Sequence, residues 1–525
     1  VGGSAESGLV RIHFLTSELW QLYSHVATSV RTLPALVVGA QHVARAFHMA
    51  PHSRGGGGDP TLVRNKYRSV IREELPLVCG GSLPELTIDW EQWGDPALPG
   101  DRTVLVLPSL AHSSHAASNR DDPRPGWWEN MIGPGKAIDT DHFRVLCVSA
   151  LGSPFGGTSP LTIDPRTGAA HWLANGIHLE AVELMCRYDK PYRATFPQVT
   201  PADMAACHAK VLDDLGIDHV HAVIGGSMGG MQALEFAAQF PHRLERLIGI
   251  SCTHQSTPGT VAFRRVQRHA VLSDPEFKDG QYSPGAVLNG MKVARELALT
   301  CYWSREELDQ CFDWNPTGPL DFQSATFDVE NFMTYEADKF ARMFDPNCFL
   351  VLSKALDLMN LGHGFTNLGE GTKRIMCASL LVGVKQDRLI PVQEQRNLVN
   401  ILHGYGRNTT LVELNSKFGH DAMYNEDMQR DVFTPLVRDY LEYKLADLAP
   451  HEQHHFGNLK NGNNIIDTLK FPIATDRLTS SKASNTTDAL RNVSAGSVAP
   501  LAMVNLIVLV PVTSALAGMA YSYSL

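Results

Sequence analysis

The sequence predicts an α/β protein, in which a mostly parallel central sheet is flanked by helices and interrupted by a helical insertion. Short apolar runs recur along the chain, helical patterns separate them, and this alternation stops over one long internal stretch. Apolar, β-branched runs bounded by turn residues are typical of central parallel strands, which are buried on both faces. The runs are Val104–Leu107, Arg144–Ser149, His219–Ile224, Arg246–Ser251, Ala378–Gly383 and Thr409–Leu414.

Helical patterns occupy intervals between the predicted strands. Pro201–Leu215 and Met228–Phe240 carry apolar residues at helical spacing, and each lies between two strand-like runs. Strands that alternate with helices in this way form a parallel sheet with helices on its faces. We therefore assign residues 61–252 and 373–445 to one α/β core.

Residues 253–372 interrupt this order. No strand pattern stands out there, and apolar residues recur at helical spacing in Gly290–Cys301 and Phe349–Met359. We predict a helical lid that lies above the C-terminal edge of the sheet.

The two ends of the chain differ in composition from the globular part. Residues 1–60 have spaced arginines and few acidic residues, which favours an organelle transit peptide and a disordered extension about equally. Residues 446–525 are rich in Asn, Ser and Thr, which predicts disorder, but the segment 498–525 is apolar enough for a membrane anchor. We expect a mitochondrial or cytoplasmic protein, with membrane association through 498–525 as the alternative to a free tail.

Composition excludes several function classes. The chain has 525 residues, a net charge of −10 and no long basic run, so nucleic-acid binding is not expected. Its nine cysteines are scattered and include no C-x-x-C pair. We therefore expect neither a disulfide framework nor a bound metal.

The strongest chemical signal is the segment GGSMGG, residues 225–230, which follows the run ending at Ile224 and opens a predicted helix. A G-x-S-x-G motif between a strand and a helix is the nucleophile elbow of the α/β-hydrolase fold. Very small residues two positions before and after Ser227 permit the tight turn, which lifts the serine hydroxyl clear of the backbone. The turn also aims a helix N-terminus at negative charge that develops there. Ser227 is the candidate nucleophile.

A serine hydroxyl is a weak nucleophile unless a base accepts its proton. In this fold an acid and then a histidine follow the serine in chain order, each just after a later strand. Asp387 comes after Ala378–Gly383, and His420 comes after Thr409–Leu414. The sequence therefore predicts Asp387 and His420 as the acid and the base.

An oxyanion formed at the nucleophile needs hydrogen-bond donors. The N–H of Met228, directly after Ser227, is the first expected donor. The second is expected in the loop after Val104–Leu107, where we favour Leu110 or Ala111.

Several segments around these residues resemble the homoserine/serine O-acyltransferases, a branch of the α/β-hydrolases. The resemblance extends from about residue 77 to 444, and its motifs occur in the family's order. The segments are WENMIGPGKAIDTDHFRVLC (128–147), GGSMGGMQALEFAAQFP (225–241), FMTYEADKFARMFDPNCFLVLSKALD (332–357), VGVKQDRLIP (382–391) and FGHDAM (418–423).

The resemblance implies transfer of an acyl group from acyl-coenzyme A (acyl-CoA), as a co-substrate and not a bound cofactor, to an amino-acid hydroxyl. The acyl group would rest on Ser227 between two half-reactions. An AR…TY pattern matches Arg295 and Tyr302, which the resemblance assigns to acceptor binding, with Arg295 on the carboxylate. Asp421 would bind the ammonium group. The resemblance also implies a homodimer formed through the lid.

The acceptor and the donor stay open at this stage. Pro154 stands where homoserine-acetylating relatives have Cys, and the GSPFG segment is more similar to a serine-acylating branch. We predict L-serine as acceptor and a role in cysteine synthesis, with L-homoserine and methionine synthesis as the alternative, and either acetyl-CoA or succinyl-CoA as donor.

Two segments depart from the family pattern. The loop 108–112 lacks the usual His-Ala-Leu-Thr-Gly, and residues 169–193 contain an apparent insertion. Two other functions compete with acyl transfer. An esterase of the same fold would not need the amino-acid clamp of Arg295 and Asp421, and a membrane-tethered scaffold would not need Ser227, Asp387 and His420.

Overall fold

The computed structural model describes residues 67–167 and 190–442, together with the backbone of His454–His455. All of these residues belong to one of two compact units of the chain, Val1–Ala474. The predictions for residues 1–60, for most of the insertion in 169–193 and for the apolar segment 498–525 concern residues outside the described part.

In the part of the chain that the structure describes, nine strands form the central sheet, and four short strands form two separate ribbons. The strands are β1 (Tyr67–Ile71), β2 (Leu75–Pro76), β3 (Ser82–Leu83), β4 (Leu86–Trp93), β5 (Thr103–Leu107), β6 (Ile132–Gly133), β7 (Ile138–Asp139), β8 (Arg144–Val148), β9 (Val220–Gly226), β10 (Leu244–Ile250), β11 (Ala378–Val384), β12 (Thr409–Leu414) and β13 (His454–His455). The sheet order is β1-β4-β8-β5-β9-β10-β11-β12-β13. β4 pairs antiparallel with β1 and β8, and the other neighbours are parallel.

Each predicted apolar run forms one of the parallel strands, from β5 to β12, which confirms the α/β prediction. The sequence did not reveal β4 because two acidic residues interrupt its apolar pattern. Asp89 is buried against Arg68, with oxygen–nitrogen distances of 2.5 and 3.0 Å, and Glu91 is buried against His115 at 2.8 Å. These partners allow carboxylates to occupy a buried strand.

Six helices, α3 to α8, lie between β10 and β11, and this stretch, which the structure describes throughout, contains no strand. The helices are α1 (Pro201–Asp214), α2 (Met228–Gln239), α3 (Pro258–Leu272), α4 (Asn289–Tyr302), α5 (Arg305–Cys311), α6 (Asp328–Met343), α7 (Pro346–Asp357), α8 (Leu368–Thr372), α9 (Val392–Gly404) and α10 (Thr434–Glu442). Short helical turns occur at Gly100–Arg102, Arg193–Thr195, Pro275–Gly280, Gly419–Tyr424, Glu426–Met428 and Gln429–Phe433. Within the described ranges, no helix is both long and apolar enough to cross a membrane.

The core lies on both faces of the sheet because successive strand residues point to opposite sides. In β5, Leu105 and Leu107 pack into the cluster that contains α1 and α2, while Val104 and Val106 pack into the cluster that contains α10. Because both faces are covered, a substrate can approach the sheet only at the strand ends, and Ser227 lies at the C-terminal end of β9.

Candidate active site

Ser227 occupies the sharp turn between β9 and α2, with φ 54° and ψ −120°. This backbone conformation is unfavourable for a residue with a side chain, and such strain persists only where the surroundings hold it. The Ser227 N–H donates to the carbonyl of Ile250 at 2.9 Å, and the Ser227 carbonyl accepts from Met231 N–H at 3.0 Å. The neighbouring strand and the first turn of α2 therefore fix the position of the serine.

The glycines two positions before and after Ser227, Gly225 and Gly229, lie where the backbone leaves no room for a side chain. A Cβ on Gly225 would overlap the backbone of Gly229, and a Cβ on Gly229 would overlap the carbonyl of Leu107 at the end of β5. Neither glycine has a positive φ. Helix α2 can therefore begin directly against β5 only because these positions carry no side chain.

We expect Gly229→Ala to destabilise the fold by at least about 2 kcal/mol, because the added methyl group meets strand backbone that cannot move aside. Gly259→Ala, in the first turn of α3, is the matched control, because a Cβ there has nothing within 4 Å. Its free energy of unfolding should change by less than about 1 kcal/mol. Denaturant unfolding of both variants checks the prediction, and equal stabilities would contradict it.

Ser227, His420 and Asp387 form one hydrogen-bonded chain. His420 Nε2 lies 2.9 Å from Ser227 Oγ, and His420 Nδ1 lies 2.6 Å from Asp387 Oδ2. The other Asp387 oxygen accepts from the backbone N–H groups of Leu389 and Ile390 at 2.9 and 2.8 Å. Both carboxylate oxygens are therefore engaged, and the His420 ring is oriented with Nε2 towards the serine. In this arrangement His420 can accept the Ser227 proton.

The charge environment of His420 favours its protonated form. Burial by itself lowers the pKa of His420, but the Asp387 carboxylate and the nearby Asp421 outweigh it, so the pKa is raised above the ordinary value of a histidine. A general base must be neutral to accept a proton. The reaction of Ser227 should therefore require a higher pH than it would with a histidine of ordinary pKa.

We expect acylation of Ser227 to increase with pH through a midpoint above about 6.5, the usual pKa of histidine. Asp421→Asn should move this midpoint to lower pH, because it removes a negative charge that raises the pKa of His420. The measurement is the rate of coenzyme A release against pH without acceptor, so that any role of Asp421 in acceptor binding does not enter. Asp309→Asn, at an exposed ion pair with Arg305, is the control. An unchanged or higher midpoint in Asp421→Asn would contradict the prediction.

The C-terminal end of α4 packs directly against the segment that carries His420. The Tyr302 ring lies 5.6 Å from the His420 ring, centroid to centroid. Gly419 has φ 59°, and a Cβ there would lie 2.6 Å from the carbonyl oxygen of Tyr302. The Asp387 segment contacts the same end of α4, since Arg388 Nη1 donates to the carbonyl of Thr300 at 2.9 Å.

Helix α5 adds polar contacts to this junction. Ser304, which caps α5, donates its hydroxyl to the carbonyl of Lys417, and Lys417 Nζ lies 2.8 Å from Glu307 Oε2. The Glu307 side chain is 4% exposed, so the carboxylate of this ion pair is largely shielded from water. The lid therefore helps to hold the segment that ends in His420.

The predicted oxyanion donors lie at the start of α2 and in the loop after β5. Met228 is the first residue of α2, so its N–H has no intrahelical acceptor. Leu110 is partly buried in the loop after β5. Gln232 of α2 donates to the carbonyl of Pro108 at 3.1 Å and pairs with buried His208 at 2.7 Å, which fixes the start of that loop.

Arg295 lies inside the lid with only 8% of its surface exposed. Its guanidinium lies 5.6 Å from the centre of the Tyr302 ring and 5.2 Å from that of Phe340. It makes no hydrogen bond or ion pair with any residue in the described part of the chain, and its Nε is fully buried. A buried guanidinium without an acceptor is costly, so this position is able to take up an anion.

Asp421 completes the group of predicted acceptor residues. Burial raises the pKa of Asp421, while the charges of His420 and Arg295 and the neighbouring Trp303 side chain act in the opposite direction. The Arg295 guanidinium and the His420 ring each lie 5.6 Å from the centre of the Tyr302 ring, and Asp421 follows His420 in the chain, so these groups are close to one another. Among the described residues, no group of three or more His, Cys, Asp or Glu side chains could hold a metal ion.

Comparisons with known proteins agree with this geometry. A family model described as alpha/beta hydrolase fold matches residues 102–427. The chain is 40% identical to serine O-succinyltransferase from Litchfieldella anticariensis, over 70% of this chain and 97% of that protein. It is 38% identical to homoserine O-acetyltransferase from Symbiobacterium thermophilum, over 74% of this chain and 97% of that protein. The chain belongs to the homoserine/serine O-acyltransferase family.

A solved member of this family has the same fold. The crystal structure of homoserine O-acetyltransferase from Bacillus anthracis matches with a TM-score of 0.63 and 25% identity, over 72% of this chain and 98% of that one. As a member of the homoserine/serine O-acyltransferases, the protein is an amino-acid O-acyltransferase of the α/β-hydrolase fold.

Two residues of this O-acyltransferase site were not predicted from the sequence. The Ser109 hydroxyl donates to the carbonyl of Gly226 at 2.9 Å and also contacts the Tyr424 hydroxyl. Tyr424 packs on His112, with 4.5 Å between ring centres. These contacts join the loop after β5 to the His420 segment beneath the elbow. The only sequence signal was the position of Tyr424 one helical turn after His420.

Proposed function

We propose that this enzyme transfers an acyl group from acyl-CoA to the side-chain hydroxyl of L-serine through an acyl-Ser227 intermediate. In the first half-reaction His420 takes the Ser227 proton, the oxygen attacks the thioester carbonyl, and coenzyme A leaves as a thiol with that proton. In the second, His420 takes the proton of the serine hydroxyl, which attacks the acyl-Ser227 ester and releases Ser227 with the proton returned. Met228 and Leu110 are proposed to donate hydrogen bonds to the oxyanion in both steps.

The observation that carries this proposal is the buried guanidinium of Arg295. It is oriented by two aromatic rings and has no acceptor within the described residues. A planar guanidinium binds a carboxylate through two parallel hydrogen bonds. An esterase that transfers acyl groups to water needs no such group, whereas an amino-acid acceptor brings the carboxylate and also an ammonium group for Asp421.

We favour L-serine over L-homoserine as the acceptor for two reasons, the conformation of one loop and the similarity of the chain to one relative. Pro154 is partly buried in the loop after β8, and the adjacent Phe155 packs edge-on against Phe344 at the end of α6 with 5.5 Å between ring centres. This stiff loop touches the lid. The 40% identical relative is named a serine O-succinyltransferase, although a homoserine O-acetyltransferase follows at 38%. One methylene separates the two acceptors, which a pocket distinguishes by only about 10- to 200-fold.

The test compares L-serine and L-homoserine as acceptors, each with acetyl-CoA and succinyl-CoA, by kcat/KM. We expect L-serine to exceed L-homoserine with the better donor, and a tenfold preference for L-homoserine would overturn the serine assignment. Arg295→Gln should lower kcat/KM for the acceptor by about 100-fold while coenzyme A release without acceptor changes less than about threefold. Arg305→Gln, at the exposed start of α5, is the control. If water consumed the acyl group as fast as serine does, the enzyme would be a hydrolase.

A further inference from the structure

The loop after β5 contains a turn with two backbone N–H groups at its centre. The Ser109 carbonyl accepts from the His112 N–H at 3.2 Å, which closes a turn around Leu110 and Ala111. Neither central N–H donates to an acceptor within the described residues. The strand that leads into this turn ends at Leu107, which pairs with Gly225 of β9. The turn therefore lies next to the elbow and has donors that a ligand or a reacting group can use.

Both ends of this turn contact Tyr424, which lies in the same short helical segment as His420. The Ser109 hydroxyl donates its single proton to the carbonyl of Gly226 at 2.9 Å. In the contact between the two hydroxyls, Tyr424 is therefore the donor and Ser109 the acceptor. At the other end of the turn, the Tyr424 ring packs on the His112 ring with 4.5 Å between their centres. One side chain thus holds the first and the last residue of the turn.

The position of Tyr424 is itself fixed by its neighbours. Trp128 Nε1 donates to the carbonyl of Met423 at 3.2 Å, and the Asn425 N–H donates to the carbonyl of Ala422 at 3.3 Å. The Tyr424 side chain is buried, and burial raises the pKa of its phenol, which keeps the hydroxyl protonated and able to donate. A loop that is hydrogen-bonded to this phenol is therefore held in one place.

The two side chains that contact Tyr424 depart from the family pattern. Residues 108–112 read PSLAH, where the pattern has His-Ala-Leu-Thr-Gly. Compared position by position, Ser109 replaces an alanine, His112 replaces a glycine, and only Leu110 is the same. Alanine has no hydroxyl and glycine has no ring with which to contact Tyr424. In this chain, the departures and Tyr424 form one set of contacts around Leu110.

We propose that Tyr424 is a positioning residue, which holds the turn Ser109–His112 so that the Leu110 N–H points at the oxyanion formed when Ser227 attacks an acyl group. The inference rests on the proposed function, in which Leu110 is an oxyanion donor. Such a donor stabilises the transition state only if it is in place before the charge develops. A displacement of about 1 Å in a catalytic site can cost about 100-fold in rate. In this scheme Tyr424 acts through Leu110 and does not touch the substrate.

The test measures coenzyme A release without acceptor, at increasing concentrations of the better of acetyl-CoA and succinyl-CoA. Tyr424→Phe removes the hydroxyl and keeps the ring on His112. It should lower the maximal rate about 10- to 100-fold and change the half-saturating donor concentration less than about threefold, because the oxyanion is absent from the bound substrate. The midpoint of the pH dependence should stay at its wild-type value, since His420 keeps its contact with Asp387.

Ser109→Ala removes the other hydroxyl of the pair and restores the residue of the family pattern. Its loss should be within about threefold of that of Tyr424→Phe, and the double variant should be within about threefold of the worse single variant, because both hydroxyls act through one contact. Multiplicative losses would show that the two hydroxyls do not act together and would overturn the inference.

Tyr440→Phe is the matched control, because Tyr440 is buried in the same core cluster as Tyr424 and its hydroxyl has no partner among the described residues. Its rate should stay within about twofold of the wild type, since no hydrogen bond is lost. Each variant should melt within about 4 °C of the wild type. If Tyr424→Phe melts lower than that, Ser109→Ala alone decides.

The outcomes separate the inference from the proposed function. If the deciding variants keep wild-type rates, change the half-saturating donor concentration instead of the maximal rate, or shift the pH midpoint, the role of Tyr424 is wrong while the acyl-Ser227 scheme stands. If the wild type releases no coenzyme A from either donor, the proposed function itself fails.

Discussion

Replacing Ser227 by alanine is expected to lower acyl transfer by about 10⁴- to 10⁶-fold and to leave the fold intact. The loss is large because the Ser227 hydroxyl is the only group at the elbow that lies 2.9 Å from His420 Nε2 in the described structure. Wild-type enzyme mixed rapidly with acyl-CoA should release coenzyme A in a burst, one equivalent per active site. Ser227→Ala should show no burst.

Ser251→Ala is the matched control for Ser227→Ala. Ser251 follows the neighbouring strand β10, has a positive φ of 44° and is buried, and its hydroxyl has no hydrogen-bond partner among the described residues. The same atom is therefore removed from a similarly strained turn, without a base beside it. We expect near-wild-type transfer from this variant. Activity in Ser227→Ala above about one hundredth of the wild type would rule out the acyl-serine intermediate.

Replacing His420 by alanine should cost nearly as much as the loss of Ser227, because no other base contacts the serine hydroxyl in the described structure. Asp387→Asn should be milder. The amide keeps an oxygen for the N–H groups of Leu389 and Ile390, but it no longer stabilises the protonated ring 2.6 Å away.

The double variant Ser227→Ala/His420→Ala shows whether the two residues contribute to catalysis together or independently. Residues that act as a unit lose little further activity when the second is removed. We therefore expect the double variant to be within about tenfold of the worse single variant, measured as kcat/KM with saturating acceptor. Multiplicative losses would show that one of the two residues has been assigned the wrong role.

The turn that carries Ser227 could be predicted from the sequence because the residues that specify it are close together in the chain. G-x-S-x-G between an apolar run and a helical pattern specifies a strand, a turn and a helix within a short stretch of chain. The two glycines that this motif requires, Gly225 and Gly229, are the ones whose close backbone contacts leave no room for a side chain. Asp387 and His420 followed from chain order, because the ends of parallel strands meet at one edge of the sheet.

Long-range polar contacts could not be predicted in the same way. Arg264 and Asp357 are separated by 93 positions, and Ser304 and Lys417 by 113. In the sequence, a charged residue on an amphipathic helix is typical of a solvent-facing surface. Only the packing of α3 against α7 shows that Arg264 is buried, and no local pattern encodes which helices come together.

The contacts between α5 and Lys417 also bear on how such enzymes can diversify. An insertion that touches its host only at the two points of attachment can be exchanged by recombination without altering the rest. Here Ser304 and Glu307, within the insertion, hold Lys417, which lies three residues before the base. A lid transplanted from a relative without these groups would leave His420 poorly supported. We therefore expect a lid exchanged between relatives to support activity only if the Lys417 segment is exchanged with it.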